Sequence, residues 1–264
     1  MRSLLTRHTP PSDYIADHAG ENIMRPALEA AQTQAWHRLG LPGTWWAGAE
    51  RLAIARECRA AQDCAFCQER AAALSPLSIQ GRHSIAEPSL PAPAIEAIHR
   101  IRTDPGRIGE SWFLALRDKG LTEEAYVELV SIVAVVVAAD TFRRGAGLEP
   151  LPLPIAGSGA PSRRRPRGAR PGTGWVATLA PEHREAEDPD LYQEHPGPRE
   201  RYGANIHRAL SLVPESMIHW GNLLEEMYQS SSQMRDYGRD YRAIGHAQIE
   251  LLAARVAALN RCEY

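Results

Sequence analysis

The sequence predicts an all-α protein, built as a helical bundle. Apolar residues recur at helical spacing through most of the chain, many of these segments end at glycine or proline, and no segment forms a convincing strand. The chain has 264 residues, of which 44% are hydrophobic. It is therefore long enough to bury a core, either in one large domain or in two small ones.

The first part of the chain contains five predicted helices that precede a long valine-rich segment. In chain order they lie within 13–40, RLAIARECRAAQ, CAFCQERAAAL, PAIEAIHRIRTD and GESWFLALRDKG. Asp63 is the expected N-cap of the third helix. A segment rich in proline, serine and glycine spans 75–93 and is expected to form a loop before the fourth helix.

The valine-rich segment LTEEAYVELVSIVAVVVAAD is predicted to be a buried helix. Its β-branched residues alone would suit a strand, but Thr122 is a suitable N-cap, and Glu123 and Glu124 follow where the helix dipole favours acidic side chains. The apolar run over 127–139 is shorter than the roughly 20 residues that cross a bilayer. We therefore expect a core helix and no transmembrane segment.

Four parts of the chain are expected from composition and patterning. They are an N-terminal helical segment with a Cys-x-x-Cys motif (1–93), a first helical unit (94–147), a linker (148–174) and a second helical unit (175–264). The linker is rich in proline, glycine and arginine, and we interpret it as a solvated segment beside the acidic stretch EHREAEDPD. Helical patterning returns in IHRALSLV, ESMIHWGNLLEEMYQ and AQIELLAARVAALN.

The formal net charge of -2 gives no indication of nucleic-acid or membrane binding. The amino terminus lacks the continuous apolar stretch of a secretory signal, so a cytoplasmic location is expected. Three of the four cysteines, Cys58, Cys64 and Cys67, are close in sequence. In a reducing compartment, such clustering favours redox or metal chemistry over structural disulfides.

Two segments suggest an internal repeat. YVELVSIVAVVVAADTF aligns with AQIELLAARVAALNRCEY at a constant offset, which pairs Glu128 with Glu250 and Asp140 with Cys262. An unbroken helix would turn Glu250 and Cys262 to different faces, so the second helix is expected to stop at Asn260. Convergent helical composition remains an alternative to duplication.

The C-terminal segment resembles the alkylhydroperoxidase-D/carboxymuconolactone decarboxylase family. That signature is a glutamate, eleven residues, Cys-x-x-Cys and a histidine four residues later, and Glu250 and Cys262 match its first two positions. The second cysteine and the histidine have no counterpart in the sequence. The resemblance covers roughly residues 95–264 and implies a bundle of duplicated helical units, truncated at the second Cys-x-x-Cys.

The resemblance implies a thiol-dependent peroxidase that is usually oligomeric. Expected partners are a small-molecule hydroperoxide or related substrate and an external thiol or dithiol reductant, with no nucleic acid, no membrane and no cofactor. The candidate catalytic residues are Cys64, Cys67, Cys262 and Glu250. Cys64 and Cys67 form the intact Cys-x-x-Cys, but Leu52 and Ala71 occupy the positions of the family glutamate and histidine.

Other interpretations of the cysteines and of the fold stay open. In one alternative, Cys64 and Cys67 are small buried side chains with no chemical role. In another, zinc is bound by Cys58, Cys64, Cys67 and His83, although their spacing lacks the paired cysteines of common structural sites. At the level of the whole protein, one alternative is a non-redox decarboxylase or isomerase with Glu128 or Glu250 as general base. The other is an inactive family protein that acts in assembly or binding.

Overall fold

The computed structural model describes residues 24–172, 174–192, 208–260 and 262. Within those ranges all regular secondary structure is helical, apart from one isolated bridge between Arg170 and Thr178. The helices are α1 (Pro26–Leu39), α2 (Gly48–Ala60), α3 (Ala65–Ala72), α4 (Ala92–Thr103), α5 (Glu110–Asp118), α6 (Glu123–Gly145), α7 (Pro214–Met227), α8 (Ser231–Arg235) and α9 (His246–Leu259). The all-α prediction is confirmed, while the duplication stays a prediction.

The chain divides into two compact units. One comprises Thr33–Gly221, and the other combines Met1–Gln32 with Asn222–Tyr264. In the larger unit α2, α4 and α6 pack against one another, and apolar side chains such as Ile54, Ile98 and Leu129 are fully buried between them. The boundaries expected from composition at 93, 147 and 174 stay predictions.

The valine-rich segment forms α6, the central helix of the larger unit. The hydroxyl of Thr122 accepts a hydrogen bond from the Ala125 amide at 3.2 Å, so the predicted N-cap is confirmed. By length and composition alone α6 would be able to cross a membrane. It packs against α2 and α4, and 61% of its most apolar window is buried.

The arginine-rich segment keeps the exposed arginines expected of a solvated linker, but it is also bound to the larger unit. It contains no helix between 148 and 172, yet its backbone is bound to the larger unit: the Gly157 amide donates to the Gly40 carbonyl at 2.7 Å and the Arg163 amide to that of Thr44 at 2.8 Å. Arg165 forms ion pairs with Glu123 and Glu124. Hydrogen bonds and ion pairs, more than the burial of apolar side chains, thus hold this segment against the larger unit.

The smaller unit holds the C-terminal helices. Helix α9 ends at Leu259, and the Cys262 amide donates to the Ala257 carbonyl at 2.9 Å, so the predicted stop after this helix is confirmed. One local prediction is wrong in part: in the expected IHRALSLV helix, Arg208 is helical, 209–213 form turns and a bend, and the first two residues lie outside the described residues. The short helix α8 was not expected. The start of the helix expected from residue 13 lies outside the described residues.

Candidate metal centre

Cys64 and Cys67 lie where α2 is followed by α3. A single 3-10 turn over Ala61–Asp63 separates the helices, and Cys64 then takes an extended conformation as the N-cap of α3. Cys67 lies in the first turn of α3. The side chain of Cys64 is 0% exposed and that of Cys67 is 2% exposed. The predicted location at a helix start is confirmed, although Cys64 takes the capping position expected for Asp63.

Two histidine rings complete a cluster around the sulfur atoms. His83 comes from the irregular segment between α3 and α4, and His99 comes from α4. The Nδ1 atom of His99 lies 3.1 Å from the sulfur of Cys67, and that of His83 lies 3.3 Å from Cys67 and 3.9 Å from Cys64. The four potential ligand atoms all lie within 4.8 Å of one another.

A carboxylate binds the far nitrogen of each histidine ring. The Nε2 atom of His99 lies 2.7 Å from Glu57, and that of His83 lies 2.7 Å from Glu96. In a neutral ring, a proton on Nε2 leaves a lone pair on Nδ1, which here faces the cysteines. Both rings are therefore oriented as metal-ligating histidines commonly are, with the second nitrogen held by an acceptor.

The two carboxylates are themselves held in place. Glu57, on α2, accepts hydrogen bonds from the amides of Ala86 and Glu87 at 2.9 and 2.7 Å, which fixes the segment that carries His83. Glu96, on α4, accepts from the indole of Trp112 at 3.0 Å and pairs with Arg70 at 3.3 Å. The orientation of each ring is thus determined by the helical core.

Hydrogen bonds shift the pKa values of Cys64 and His83, which form the outer half of the cluster. Burial by itself would raise the pKa of Cys64, but the amides of Ser84 and Cys67 and the ring of His83 lower that pKa to about 7. Burial would lower the pKa of His83, whereas bonds to Cys67, Glu96 and Cys64 raise it to about 10. Without a bound ion, His83 is thus protonated and Cys64 has thiolate character near neutral pH, and a metal ion would displace the Nδ1 proton of His83 on binding.

The inner half of the cluster, His99 with its partner Glu57, is more deeply buried. The side chains of His99 and Glu57 are both 0% exposed. Burial lowers the pKa of His99 below its ordinary value, and the adjacent Glu57 opposes that shift without reversing it. A neutral imidazole, which is the form that binds a metal ion, is thereby favoured at this position.

The dimensions and donor types of the cluster fit a tetrahedral Zn²⁺ site. Ligand atoms at about 2.0–2.3 Å from a tetrahedral centre are about 3.3–3.8 Å from one another. Three of the four sulfur–nitrogen distances in the cluster, 3.1, 3.3 and 3.9 Å, bracket this range, and all pairs of ligand atoms lie within 4.8 Å. Two thiolates with two imidazoles form a common structural zinc ligand set. The arrangement can therefore hold zinc with only small side-chain adjustments.

The zinc alternative considered from sequence included one wrong ligand. Cys58 is buried on α2 and is not a member of the cluster, whose fourth member is His99. Burial raises the pKa of the Cys58 thiol to about 12, so that this cysteine stays protonated. The reason is geometric: Glu57 of α2 faces the cluster, and the next residue is turned about 100° away around the helix axis, so closeness in sequence to Cys64 does not bring Cys58 to the site.

The other two predicted catalytic residues belong to the smaller unit and are not members of the cluster. The side chain of Glu250 is 52% exposed, accepts a hydrogen bond from the Tyr228 hydroxyl at 2.6 Å and pairs with His246 at 3.6 Å. Cys262 is also exposed. The structure therefore brings together Cys64 and Cys67 alone of the four candidates.

His99 is the member that sequence reasoning missed. It lies in PAIEAIHRIRTD, which has the pattern of an ordinary amphipathic helix. One signal was available, because fifteen residues separate Cys67 from His83 and fifteen more separate His83 from His99. Glu57 and Glu96 carry no such signal, since acidic residues on helices are common.

No protein-family model, no curated protein and no solved structure matches this chain. The fold class thus follows from the structure alone, and the class of the site follows from its geometry. The resemblance of the C-terminal segment to a peroxidase family stays a prediction.

Proposed function

We propose that Cys64, Cys67, His83 and His99 bind one Zn²⁺ ion that stabilises the larger helical unit. The observation that supports this most directly is the pairing of each histidine with a carboxylate, Glu57 behind His99 and Glu96 behind His83. Such pairs fix the ring and strengthen it as a ligand. The four protein ligands and their burial favour a structural ion over a catalytic one, which keeps an open position.

The ion would join three parts of the larger unit. Its ligands come from the start of α3, from the segment between α3 and α4, and from α4 itself. That intervening segment has only one 3-10 turn, Pro76–Ser78, and exposes large apolar side chains such as Leu74 and Leu77. Because it has little core of its own, a bond from His83 to zinc would contribute much of its order.

Metal content measured on the purified full chain tests the proposal. After expression in zinc-supplemented medium and purification, we expect inductively coupled plasma mass spectrometry to find one zinc per chain. The variants Cys64→Ser, Cys67→Ser and His99→Gln should each lose most of this zinc. A protein that stays zinc-free when refolded with excess Zn²⁺, or a His99→Gln variant with full zinc content, would contradict the proposal.

Two cysteines outside the cluster provide matched controls. Cys58→Ala and Cys262→Ser remove a thiol without removing a proposed ligand. Both should retain one zinc per chain. Loss of zinc in Cys58→Ala with retention in His99→Gln would instead support the ligand set considered from sequence.

A second candidate function is dithiol chemistry of the thiol-dependent peroxidase type. It is favoured by the placement of Cys64 and Cys67 in one helical turn beside the His83 ring. The Cys64 thiolate would attack a hydroperoxide, releasing an alcohol and leaving a sulfenic acid, which Cys67 would convert to a disulfide and water. An external dithiol would then reduce the disulfide, with Cys262 and Glu250 as the predicted assisting residues.

Peroxide consumption by metal-free and zinc-loaded protein separates the two candidates. A peroxidase would consume hydroperoxide with a dithiol reductant, and Cys64→Ser and Cys67→Ser would abolish the reaction. A structural zinc site would give no turnover in either form, and bound zinc would protect both thiols from oxidation. A cytoplasmic location and a homo-oligomeric state, which accompany either candidate, are also proposals.

A further inference from the structure

The larger unit contains a cavity that shares no residue with the Cys/His cluster. Its volume is about 380 Å³, within the range of small-ligand sites. The wall is formed by α1, the 41–44 loop, α2, α6 and the first half of α7, and all the lining residues lie between 35 and 220. The proposed zinc function makes no use of it.

A buried ion pair forms part of the cavity wall. The carboxylate of Glu128, only 1% exposed, pairs with Arg51 from α2 and accepts a hydrogen bond from the Trp45 amide at 2.5 Å. The backbone of Gly43 lies so close that any Cβ there would overlap the Glu128 carboxylate and the Arg51 guanidinium. The charge of Glu128 is thus compensated within the protein, and so is that of Arg51.

Arg38 is the cation of this wall that has no such compensation. It lies in the last turn of α1, lines the cavity and is only partly exposed, and no ion pair to its guanidinium is found in the ranges that the structure describes. The one acidic residue left on the wall, Glu215, lies at the exposed rim and accepts a hydrogen bond from Thr44 at 3.2 Å. The interior of the cavity therefore has an excess of positive charge.

His219 reports this positive field. Burial and the charges of Arg38 and Arg51 together lower the pKa of its ring to about 4, against the opposite effect of Glu215. At neutral pH the ring is uncharged and can donate one hydrogen bond. The hydroxyl of Ser216, which accepts a hydrogen bond from Ser131 at 3.0 Å, adds a second polar group to the same wall.

The remaining wall is apolar. Leu39, Ile132, Val135 and Trp220 line the cavity beside these polar groups. A cavity with one uncompensated cation, a few neutral hydrogen-bonding groups and an apolar side matches the general composition of small-molecule sites. The acidic rim disfavours a ligand with more than one negative charge.

We propose that this cavity binds a small organic monocarboxylate, with its carboxylate at Arg38 and its apolar body against Ile132, Val135 and Trp220. Arg38 would supply a charge-assisted hydrogen bond, and His219 and Ser216 neutral ones. The apolar side would add affinity in proportion to the area that it covers.

Isothermal titration calorimetry of the full chain tests this proposal with three probes that each contain six carbon atoms. We expect hexanoate to bind with one site per chain, hexanamide at least tenfold more weakly, and hexyl phosphate more weakly than hexanoate. Arg38→Gln should weaken hexanoate binding at least tenfold, which corresponds to about 1.4 kcal/mol. Arg38→Lys, which keeps the charge, should recover part of the affinity.

Arg56→Gln is the matched control, because Arg56 is an exposed arginine of α2 that pairs with Glu87 outside the cavity. Its hexanoate affinity should equal that of the unmodified chain. Absence of hexanoate binding, equal binding of hexanamide, tighter binding of hexyl phosphate, or full affinity in a folded Arg38→Gln variant would each overturn the proposal. Zinc content is measured on the same samples, so failure here is distinguishable from failure of the metal site.

Discussion

The Nε2 atom of His99 lies 2.7 Å from the carboxylate of Glu57, and neither side chain exposes any surface to solvent. The same carboxylate accepts hydrogen bonds from the backbone amides of Ala86 and Glu87. One buried group therefore orients both the His99 ring and the segment that carries His83. Glu57 thus links the proposed metal centre to the helical core, because its place on α2 fixes the positions of two proposed ligands, His83 and His99.

Replacing that carboxylate should weaken zinc binding. In Glu57→Gln, the amide side chain would present N–H groups to donors, so at least one hydrogen bond would be lost and His99 would be less firmly held. We expect zinc affinity to fall about 10- to 100-fold, as is usual when such a partner is removed. Competition with a chromogenic chelator measures the change. Glu87→Gln, whose side chain faces Arg56, should bind zinc normally, and equal loss in both variants would contradict this role for Glu57.

Removing the ion should lower thermal stability. Zinc that binds only the folded chain, at a concentration about a thousandfold above its Kd, contributes about 4 kcal/mol. At about 2–4 °C for each kcal/mol in a chain of this size, the midpoint should fall by about 8–16 °C. Differential scanning calorimetry with and without a chelator measures this change. A midpoint that stays constant after the zinc has demonstrably been removed would exclude a stabilising role.

Separating the buried ion pair of the cavity should be strongly destabilising. Arg51→Met leaves the Glu128 carboxylate without its cation in a buried position, and such changes commonly cost about 3–5 kcal/mol. Urea denaturation gives the free energy of unfolding. Arg56→Met, at an exposed pair on the same helix, should change stability by less than about 1 kcal/mol. Similar losses in the two variants would show that Glu128 does not depend on Arg51.

His219 should make stability depend on pH. Its pKa in the folded chain, about 4, is below its ordinary value of 6.5, so the unfolded chain binds more protons between these limits. Its contribution to stability is therefore complete above pH 6.5 and is lost as the pH falls towards 4, by at most about 1.4 kcal/mol per pH unit. Burial is the largest cause of this shift. The charges of Arg38 and Arg51 add to it and that of Glu215 opposes it, while Glu128 lines the same cavity.

Paired urea titrations at pH 5 and pH 7 isolate this effect. The loss of stability on acidification should be smaller in His219→Gln than in the unmodified chain. His37→Gln, at an exposed position of α1, should lose as much as the unmodified chain. An identical acid response in all three proteins would refute the contribution of His219.

Local patterns in the sequence were sufficient to predict α6, its Thr122 cap and the position of Cys64 and Cys67 at a helix start. These features depend on nearest neighbours along the chain, as capping and helical spacing do. The metal centre was only partly predictable. His83 was singled out because it follows the cysteines closely, whereas His99 reaches the site through the packing of α4 against α2, which no local pattern specifies.

The cavity was less predictable still. Glu128 was expected as a possible general base, but its pairing with Arg51 depends on the contact between α2 and α6 and on the absence of a side chain at Gly43. The arginine-rich segment was only partly predictable, because its exposed side chains follow from composition but its backbone contacts do not. Its composition predicts little apolar burial, but composition does not reveal that the backbone bonds of Gly157 and Arg163 secure it.

The four proposed ligands and both supporting carboxylates come from one continuous stretch, Glu57–His99. Short separations along the chain keep the entropy of loop closure small and allow contacts to form early in folding. During synthesis, that stretch leaves the ribosome before α6 does. We therefore expect the nascent chain to acquire its zinc while it is still being translated, which would give the central helix an organised surface to fold against.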